Sequence, residues 1–291
     1  MLSPNSTPYF RLNVAEQYES ADQGWFVAKV ELFSWNPKWP VCRGRVSRFV
    51  PIERPVNNFG DLLGPIIIER LRRMADLPTE TRTARRLLSV GSVLHFARDG
   101  DVIWGSGVNG KIPLDSYDFT FLDVRAVRGP HTRALLQDRG INVPAVFGDP
   151  ALLLPHVAPE LLNASRHKRH KLTIVPNMED LRRHRSLRLA PNVLNPRSGL
   201  RHCLYRIVRS ELVVGSSLHA IVVAEAFGIP ARVVESKVEH HLKYADYYAG
   251  TGRGSYSPVP TVQEAILAGG EPLPNLSVRP LLDAFPADLW R

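Results

Sequence analysis

The sequence predicts an α/β protein with a parallel β-sheet in each half of the chain. The first observation is segment 211–235, where an apolar strand, a Gly-Ser-Ser turn, an apolar helix and a second strand follow one another. The second observation is that the order of strand, turn and helix repeats along the chain. Such alternation is typical of β-α-β units, whose strands lie parallel.

The first half is expected to begin with a loose arm over residues 1–24. An edge strand and a turn are predicted at 23–39, where apolar residues alternate and three tryptophans occur. A turn that leads into an apolar helix is predicted at 57–74, and a second helix at 130–139. The remaining predicted strands are short apolar runs: 87–94, 101–104, 122–127 and 142–147.

The domain organisation follows from composition. Segment 155–171 is rich in Pro, His and Arg, so it is predicted to link two Rossmann-like domains, 1–160 and 161–291. The proline-rich tail from Leu273 is expected to pack back on the first domain. Ligands bind beyond the carboxyl ends of parallel strands. The loops that follow the strands of both domains are therefore expected to face a central cleft.

Composition narrows the class of protein. With 291 residues, 44% hydrophobic and 22% charged, the chain has the make-up of a soluble globular protein. No apolar run approaches the ~20 residues of a membrane span, and the N-terminus lacks the layout of a secretory signal. The two cysteines fit neither a metal motif nor a disulfide framework. A cytoplasmic protein without a metal ion or cofactor is expected.

The net charge of +9 is concentrated in residues 165–210, which contain twelve Lys/Arg and two Asp/Glu. Within this basic segment, residues 200–208 show helical apolar spacing, so one face is predicted to be buried. The charge indicates either a solvated surface or contact with anionic lipid headgroups or a phosphorylated acceptor. Nucleic acid is disfavoured because no nucleic-acid-binding motif accompanies the charge.

The turn after the strand at 212–214 is the strongest candidate site. Ser216 and Ser217 precede Leu218 at the position of a helix N-cap, where free N–H groups and the helix dipole favour an anion. His219 lies in the first helical turn, where it could exchange a proton with that anion. A buried, hydrogen-bonded histidine is the alternative interpretation.

Two further candidate loops also follow predicted elements. In NNFGDLLGPIIIERL, Asn58 and Gly60 precede Asp61, which could cap the helix or accept a sugar hydroxyl. WGSGVNGK has a glycine-rich turn that could bring backbone N–H groups to a ligand, or could be a plain turn. Its candidate residues are Gly105, Gly107, Asn109 and Lys111.

Cationic residues mark the remaining candidates. In RAVRGPHTR, Arg125 and Arg128 end a strand and Thr132 starts a helix; an arginine fork binds carboxylate or phosphate, although surface arginine is the alternative. KYADYYAGTGR is interpreted as a loop in which Lys243 and Arg253 flank three aromatics.

The motifs, taken in order, resemble the polysaccharide pyruvyl transferase family. The matching blocks run from NFGDLLGPIIIERL through LLSVGSVLHFARDGDVIWGSGVNGK, DVRAVRGPHTRALLQDRGINVPAVFGDPALLLP and VGSSLHAIVVAEAFGIPARVVE to KYADYYAGTGR, about residues 57–253. The resemblance implies a two-domain fold similar to GT-B glycosyltransferases. It also implies transfer of the enolpyruvyl unit of phosphoenolpyruvate to a sugar of a cell-surface polysaccharide precursor, often lipid-linked, with closure of a pyruvate ketal.

The family's histidine falls on His219, with Ser217 and Leu218 in the stretch that contacts phosphoenolpyruvate, and its arginine falls on Arg128. The resemblance thus implies that His219 acts as acid/base and phosphate partner and that Arg128 clamps the donor. Asp61 or Asp149 would orient or deprotonate the sugar. The chain departs from the family at Asn177, where a histidine is often found.

Two other functions remain open at this point. A nucleotide-sugar glycosyltransferase of the same architecture would need a ribose-binding acidic residue, and no convincing candidate is present. A non-catalytic glycan-binding protein of the same fold would not need His219 or Arg128. The acceptor sugar, the ring closed and the oligomeric state are not predicted, and contact of the basic segment with the inner face of the plasma membrane is a further expectation.

Overall fold

Two separate parallel sheets organise the chain in the computed structural model, which describes residues 28–40, 52–81, 84–184, 188, 190–254 and 256–291. The fold is mixed α/β, as predicted, and neither sheet closes into a barrel. The arm expected over residues 1–24 lies outside the described residues. The boundary between residues 160 and 161 stays a prediction.

The first sheet has the strand order β1-β4-β5-β6. Its parallel strands are β1 Glu31–Phe33, β4 Arg86–Leu88, β5 Val102–Trp104 and β6 Asp123–Ala126. The predicted strands at 23–39, 87–94, 101–104 and 122–127 are thus confirmed in shorter form, with β1 at the edge. A separate antiparallel hairpin pairs β2 Lys38–Pro40 with β3 Glu53–Pro55.

The prediction of a strand at 142–147 is wrong. Only an isolated bridge between Val127 and Phe147 forms there. Pro144 lacks the backbone N–H that a ladder requires, which accounts for the loss of the strand. The helices predicted nearby are confirmed as α1 Leu63–Met74 and α2 Pro130–Gln137.

Two short helices occupy most of the segment predicted as a linker, 155–171: α3 Leu154–Val157 and α4 Pro159–Ser165. That this segment joins two domains stays a prediction. Each carries a proline in its first turn, where the missing N–H costs no helical hydrogen bond. Leu154, Ala158, Leu161 and Ala164 are buried in the core, whereas Leu162 is exposed. Proline therefore marks helix starts in this segment.

The second sheet has the order β7-β8-β9, all parallel. Its strands are β7 His170–Ile174, β8 Ser210–Gly215 and β9 Ala231–Val233. The helices of this half are α5 Met178–Arg183, α6 Leu200–Val208, α7 Leu218–Ala226, α8 Leu242–Gly250, α9 Val262–Ala268 and α10 Arg279–Asp283. The predicted β-α-β unit is thereby confirmed as β8-α7-β9, and α6 buries the predicted apolar face.

One apolar core cluster runs from the first sheet to the second. Helix α7 lies inside it, and seven of its nine residues are buried. A helix that is apolar on all sides belongs in a protein interior. The tail lies against the first sheet: Trp104 Nε1 donates to the Leu281 carbonyl oxygen at 3.0 Å, and Phe285 packs edge-on against Trp104.

Candidate functional site

A cavity of about 1480 Å³ lies at the carboxyl ends of strands from both sheets. Many of the predicted site residues line it: Asn58, Asp61, Asn109, Lys111, Ser217, Leu218, His219 and Lys243. Loops that are far apart in sequence therefore meet around one space, as expected for parallel strands whose carboxyl ends share an edge.

His219 enters the cavity from the first turn of α7. Ser217 is the N-cap residue of that helix, as predicted. Among the described residues, the backbone N–H groups of Leu218 and His219 have no hydrogen-bond partner. The start of α7 therefore presents two free donors beside the imidazole, an arrangement that favours an anion.

Gly60 forms the socket of the His219 ring. A Cβ added at Gly60 would lie 2.1 Å from His219 Nδ1 and 2.6 Å from Cγ. Only a glycine permits this approach, so the first half of the chain contributes the surface against which the histidine of the second half rests.

Asp149 lies on the other side of the imidazole. Its Oδ2 is 3.8 Å from His219 Nε2, and both atoms are buried without a hydrogen-bond partner among the described residues. Burial raises the pKa of Asp149 to about 6, and burial together with Lys243 and Arg128 lowers the pKa of His219 to about 3. The site thus holds a neutral imidazole beside a carboxyl group that titrates near neutrality.

Asp149 is fully buried, and its Oδ1 accepts a hydrogen bond from the Ala151 N–H at 2.9 Å. Its carboxyl group faces His219 and is not part of the cavity lining, so the predicted contact between Asp149 and the sugar stays a prediction. This position suits a residue that orients the histidine.

Asp61 lies on the cavity wall. The N-cap position of α1 belongs to Leu62, so the capping interpretation of Asp61 is wrong. The Asn58 side-chain amide donates to Asp61 Oδ2 at 2.6 Å. Burial raises the pKa of Asp61 to about 6, against the opposing effects of Asn58 and Lys243. Asp61 is therefore a carboxyl group able to take or give a proton near neutral pH.

Lys243 supplies a buried cation to the same wall. The segment predicted as a loop is mostly helix α8, so Lys243 is held rigidly. Its Nζ lies 2.8 Å from Glu239, which also pairs with Lys111 at 3.1 Å. Burial lowers the pKa of Lys243, while Glu239 opposes that change. Glu239 thereby fixes two cations from different halves of the chain on one cavity.

Arg128 lies behind the cavity wall, since only 1% of it is exposed. Its Nε donates to Asp246 at 3.1 Å, Nη1 to Ser92 Oγ at 2.6 Å and Nη2 to the Val108 carbonyl at 2.9 Å. A Cβ at Gly107 would lie 2.3 Å from its Cζ. The expected open clamp is absent in this conformation of the described residues, and Arg128 instead acts as a fixed charge near His219 and Asp149.

Several other predicted residues stand outside the cavity lining. Thr132 is buried, and its hydroxyl donates to Asp246 at 2.6 Å. Arg125 pairs with Asp123 and Asp288, and Arg253 pairs with the buried Glu225. These three predictions identified residues that hold the fold together around the site.

Ser216 and Gly105 have positioning contacts. Ser216 Oγ donates to Asp180 Oδ2 at 2.6 Å and accepts from the Asn177 N–H at 3.0 Å. Asn177 itself is the N-cap of α5, where its side-chain oxygen accepts from the Asp180 N–H. Gly105 follows β5 and lies close to Pro150.

Sequence reasoning missed the cavity's outer wall. Among its residues are Trp35, Trp39, Arg54, Arg188, Arg197 and Glu239. The four-residue spacing of Glu239 and Lys243 is a signal that could have revealed their ion pair. The tryptophans and arginines come from separate segments and resemble ordinary surface residues in sequence.

Two searches bear on other expectations. Within the described ranges, no group of three or more His, Cys, Asp or Glu is placed to hold a metal ion. The described helices include none that is both long and apolar enough to cross a membrane.

Comparison with known proteins gives two matches. The sequence model of the family described as polysaccharide pyruvyl transferase matches residues 58–237, more than half of the chain. The succinoglycan biosynthesis protein ExoV of Rhizobium meliloti (strain 1021) is 30% identical over 200 residues, 63% of this chain and 60% of that relative. The chain therefore aligns with less than two thirds of the relative's length. No solved structure matches significantly.

Proposed function

The chain belongs to the polysaccharide pyruvyl transferase family, and we propose that it transfers the enolpyruvyl unit of phosphoenolpyruvate to a sugar and closes a pyruvate ketal. One observation carries the proposal. His219 stands at the start of α7, against Asp149, in a cavity that also contains Asp61 and Lys243. An anion site, a proton carrier and a second titratable group thus share one space.

Donor binding uses the cationic part of the cavity. Phosphoenolpyruvate carries a phosphate and a carboxylate, so it needs fixed positive charge and N–H donors. Lys243 and Lys111 provide the charge on the wall, and the Leu218 and His219 N–H groups provide donors. Arg128 adds a buried charge behind them, which strengthens anion binding without direct contact.

Proton transfer is assigned to His219 and Asp61. Burial keeps the imidazole neutral by lowering its pKa, and a bound phosphate raises that pKa because an adjacent negative charge favours the protonated form. Asp149 then stabilises the imidazolium that forms. His219 delivers a proton to C3 of the donor, which leaves a cation at C2. Asp61 takes the proton of the attacking sugar hydroxyl.

The atoms balance over the whole reaction. The first hydroxyl adds to C2, the C2–O bond to phosphate breaks, and the second hydroxyl adds to C2 to close the ring. One hydroxyl proton replaces the proton delivered to C3, and the other leaves with the phosphate. No redox partner is required.

The wider setting is also part of the proposal. The relative's role in succinoglycan biosynthesis supports an acceptor from an exopolysaccharide or other cell-surface polysaccharide. A lipid-linked precursor as the carrier of that acceptor is part of the proposal. A cytoplasmic location would give the enzyme access to phosphoenolpyruvate. The two sheets around one cavity support a GT-B-like arrangement of two Rossmann-like domains.

Donor binding tests the proposal directly. Thermal unfolding is followed with phosphoenolpyruvate, pyruvate, inorganic phosphate or UDP-sugars, on wild type and K243Q. A ligand that binds only the native state stabilises it by about 2.7 kcal/mol at 100 times Kd. We expect stabilisation by phosphoenolpyruvate that is reduced in K243Q and retained in K171Q, whose lysine is exposed on β7.

Either of two results would contradict the proposed function. One is stabilisation by UDP-sugars and not by phosphoenolpyruvate, which indicates glycosyl transfer. The other is an equal response of K243Q and wild type, which places the donor elsewhere. Product analysis then completes the test, since a glycan acceptor should gain a carboxyethylidene group as phosphate is released.

A further inference from the structure

Three arginines on the cavity wall have no carboxylate partner among the residues that the structure describes. Arg54, Arg188 and Arg197 all line the cavity. In the described part of the chain, none of the three has a carboxylate within 4.0 Å, although fifteen other Arg or Lys ion pairs form there. Unneutralised guanidinium groups gathered on one cavity favour an anionic ligand.

Two of these arginines are held in place by backbone carbonyls. Arg188 Nε donates to the Leu181 carbonyl at 3.0 Å, and its Nη2 donates to that of Arg182 at 3.2 Å. Arg197 Nε donates to the Val56 carbonyl at 2.8 Å, which ties it to the first half of the chain. A guanidinium has five N–H donors, so each retains several for a ligand. Such pre-orientation lowers the entropy lost when an anion binds.

An aromatic surface accompanies these charges. Trp39 on β2 is 42% exposed and lies opposite Arg54 of β3 in the hairpin register. Residues directly opposite in an antiparallel pair present their side chains on the same face. Trp35 meets Trp39 edge-on, with ring centroids 6.2 Å apart and an interplanar angle of 81°. An exposed indole of this kind is suited to the apolar face of a sugar ring.

The donor site does not need this surface. Lys111, Lys243 and the start of α7 already supply cations and N–H donors on the part of the wall that carries His219. The cavity, about 1480 Å³, also exceeds the ~300–1,000 Å³ of ordinary ligand sites. Its remaining space, bounded by tryptophan and arginine, is available to a second substrate.

We propose that the wall formed by Trp35, Trp39, Arg54, Arg188 and Arg197 is an acceptor subsite for a carbohydrate that itself carries an anionic group. The inference rests on the proposed function, which identifies the second substrate as a sugar. The shared chemistry is a sugar ring stacked on Trp39 and an anion held by Arg188 and Arg197. The anion is either a phosphate on the reducing end or a carboxylate of an acidic sugar.

Direct binding tests the subsite apart from catalysis. Intrinsic tryptophan fluorescence is titrated with glucose and galactose, their 1-phosphates, the two corresponding uronates and inorganic phosphate, with the donor site empty and again with phosphoenolpyruvate present. We expect anionic sugars to bind at least about tenfold more tightly than neutral ones, since hydrogen bonds to charged groups contribute ~1.5–3 kcal/mol. The preference should weaken as salt increases.

Paired variants locate the effect. R188Q/R197Q should lose the preference for anionic sugars while its stabilisation by phosphoenolpyruvate persists. R166Q/R169Q removes the same charge from exposed positions outside the cavity lining and should keep the preference. W39A should weaken the binding of neutral and anionic sugars to the same extent. Which anionic series binds more tightly, 1-phosphates or uronates, identifies the source of the anion.

Several outcomes would overturn the inference. These are equal binding of neutral and anionic sugars, no binding of any anionic sugar, inorganic phosphate binding as tightly as the sugar phosphates, or a preference that survives in R188Q/R197Q. Each can occur while phosphoenolpyruvate still stabilises the protein, so a failed subsite is distinguishable from a failed proposed function.

Discussion

Substituting Gly60 with alanine should disable His219 by displacing its ring, although the histidine itself is unchanged. The added Cβ would lie 2.1 Å from Nδ1, whereas ordinary van der Waals contact begins at 3.4 Å, so the ring must move by about 1.3 Å. A misplacement of this size near the reacting atoms costs ~10²-fold in rate, and complete loss of a positioned acid/base group costs ~10²–10⁴-fold. We therefore expect the kcat of G60A to fall by about 10²-fold or more.

The assay is phosphate release from phosphoenolpyruvate that depends on a glycan acceptor, with G254A as the control. Gly254 has open space around its Cβ position and lies outside the cavity lining, so G254A should behave like wild type. Because G60A acts through the histidine, its effect should largely vanish in an H219A background. Normal turnover of a folded G60A, or full additivity with H219A, would refute the reasoning.

Three further outcomes follow from the same geometry. D149N should lower kcat by about 10²-fold, because the carboxylate that stabilises the His219 imidazolium is lost. Near pH 6 the kcat profile should then keep only the limb of Asp61, while donor affinity holds; a profile identical to that of wild type would count against the pairing. Because bound phosphate raises the pKa of His219, donor binding near pH 7 should be accompanied by proton uptake, and donor affinity should rise as the pH falls. Calorimetry in two buffers with different ionisation enthalpies should show less proton uptake in H219N than in wild type. R253Q should lower the free energy of unfolding by about 3–5 kcal/mol, because the buried Glu225 loses its charge partner, but should not change the Kd of the donor. A changed Kd with a normal melting temperature would instead assign Arg253 to the binding site.

The sequence predicts most of the fold because local patterns are sufficient for it. The unit β8-α7-β9 follows from an apolar strand, a turn and an apolar helix that ends before Pro230. The differences from prediction lie at prolines, which can begin a helix or interrupt a strand. Pro155 and Pro159 lie in the first turns of two helices, where irregular chain was expected, and Pro144 prevents a strand that the apolar residues around it predict.

Charged residues of the site are harder to predict, because their partners are distant in sequence. Arg125 binds Asp288, 163 residues away, and Arg253 binds Glu225, 28 residues away. In the sequence, each resembles a ligand-binding arginine, because only the folded structure shows which carboxylate it pairs with. The outer wall presents the opposite case: Arg188 and Arg197 resemble solvated surface charge until the fold brings them to one cavity.

Helix α8 explains why a buried arginine can matter to a site whose surface it does not reach. Lys243 extends from α8 to the cavity. One turn later, Asp246 accepts hydrogen bonds from Arg128 Nε and from the Thr132 hydroxyl, both of the first half of the chain. The next residue, Tyr247, donates to Glu225 of α7, the helix that carries His219. Helix α8 therefore fixes the positions of both Lys243 and His219. The Arg128–Asp246 ion pair in turn holds α8 against the first half of the chain. Loss of Arg128 would leave Asp246 buried without its charge partner and release that connection, so Arg128 contributes to the site through position as well as through its charge.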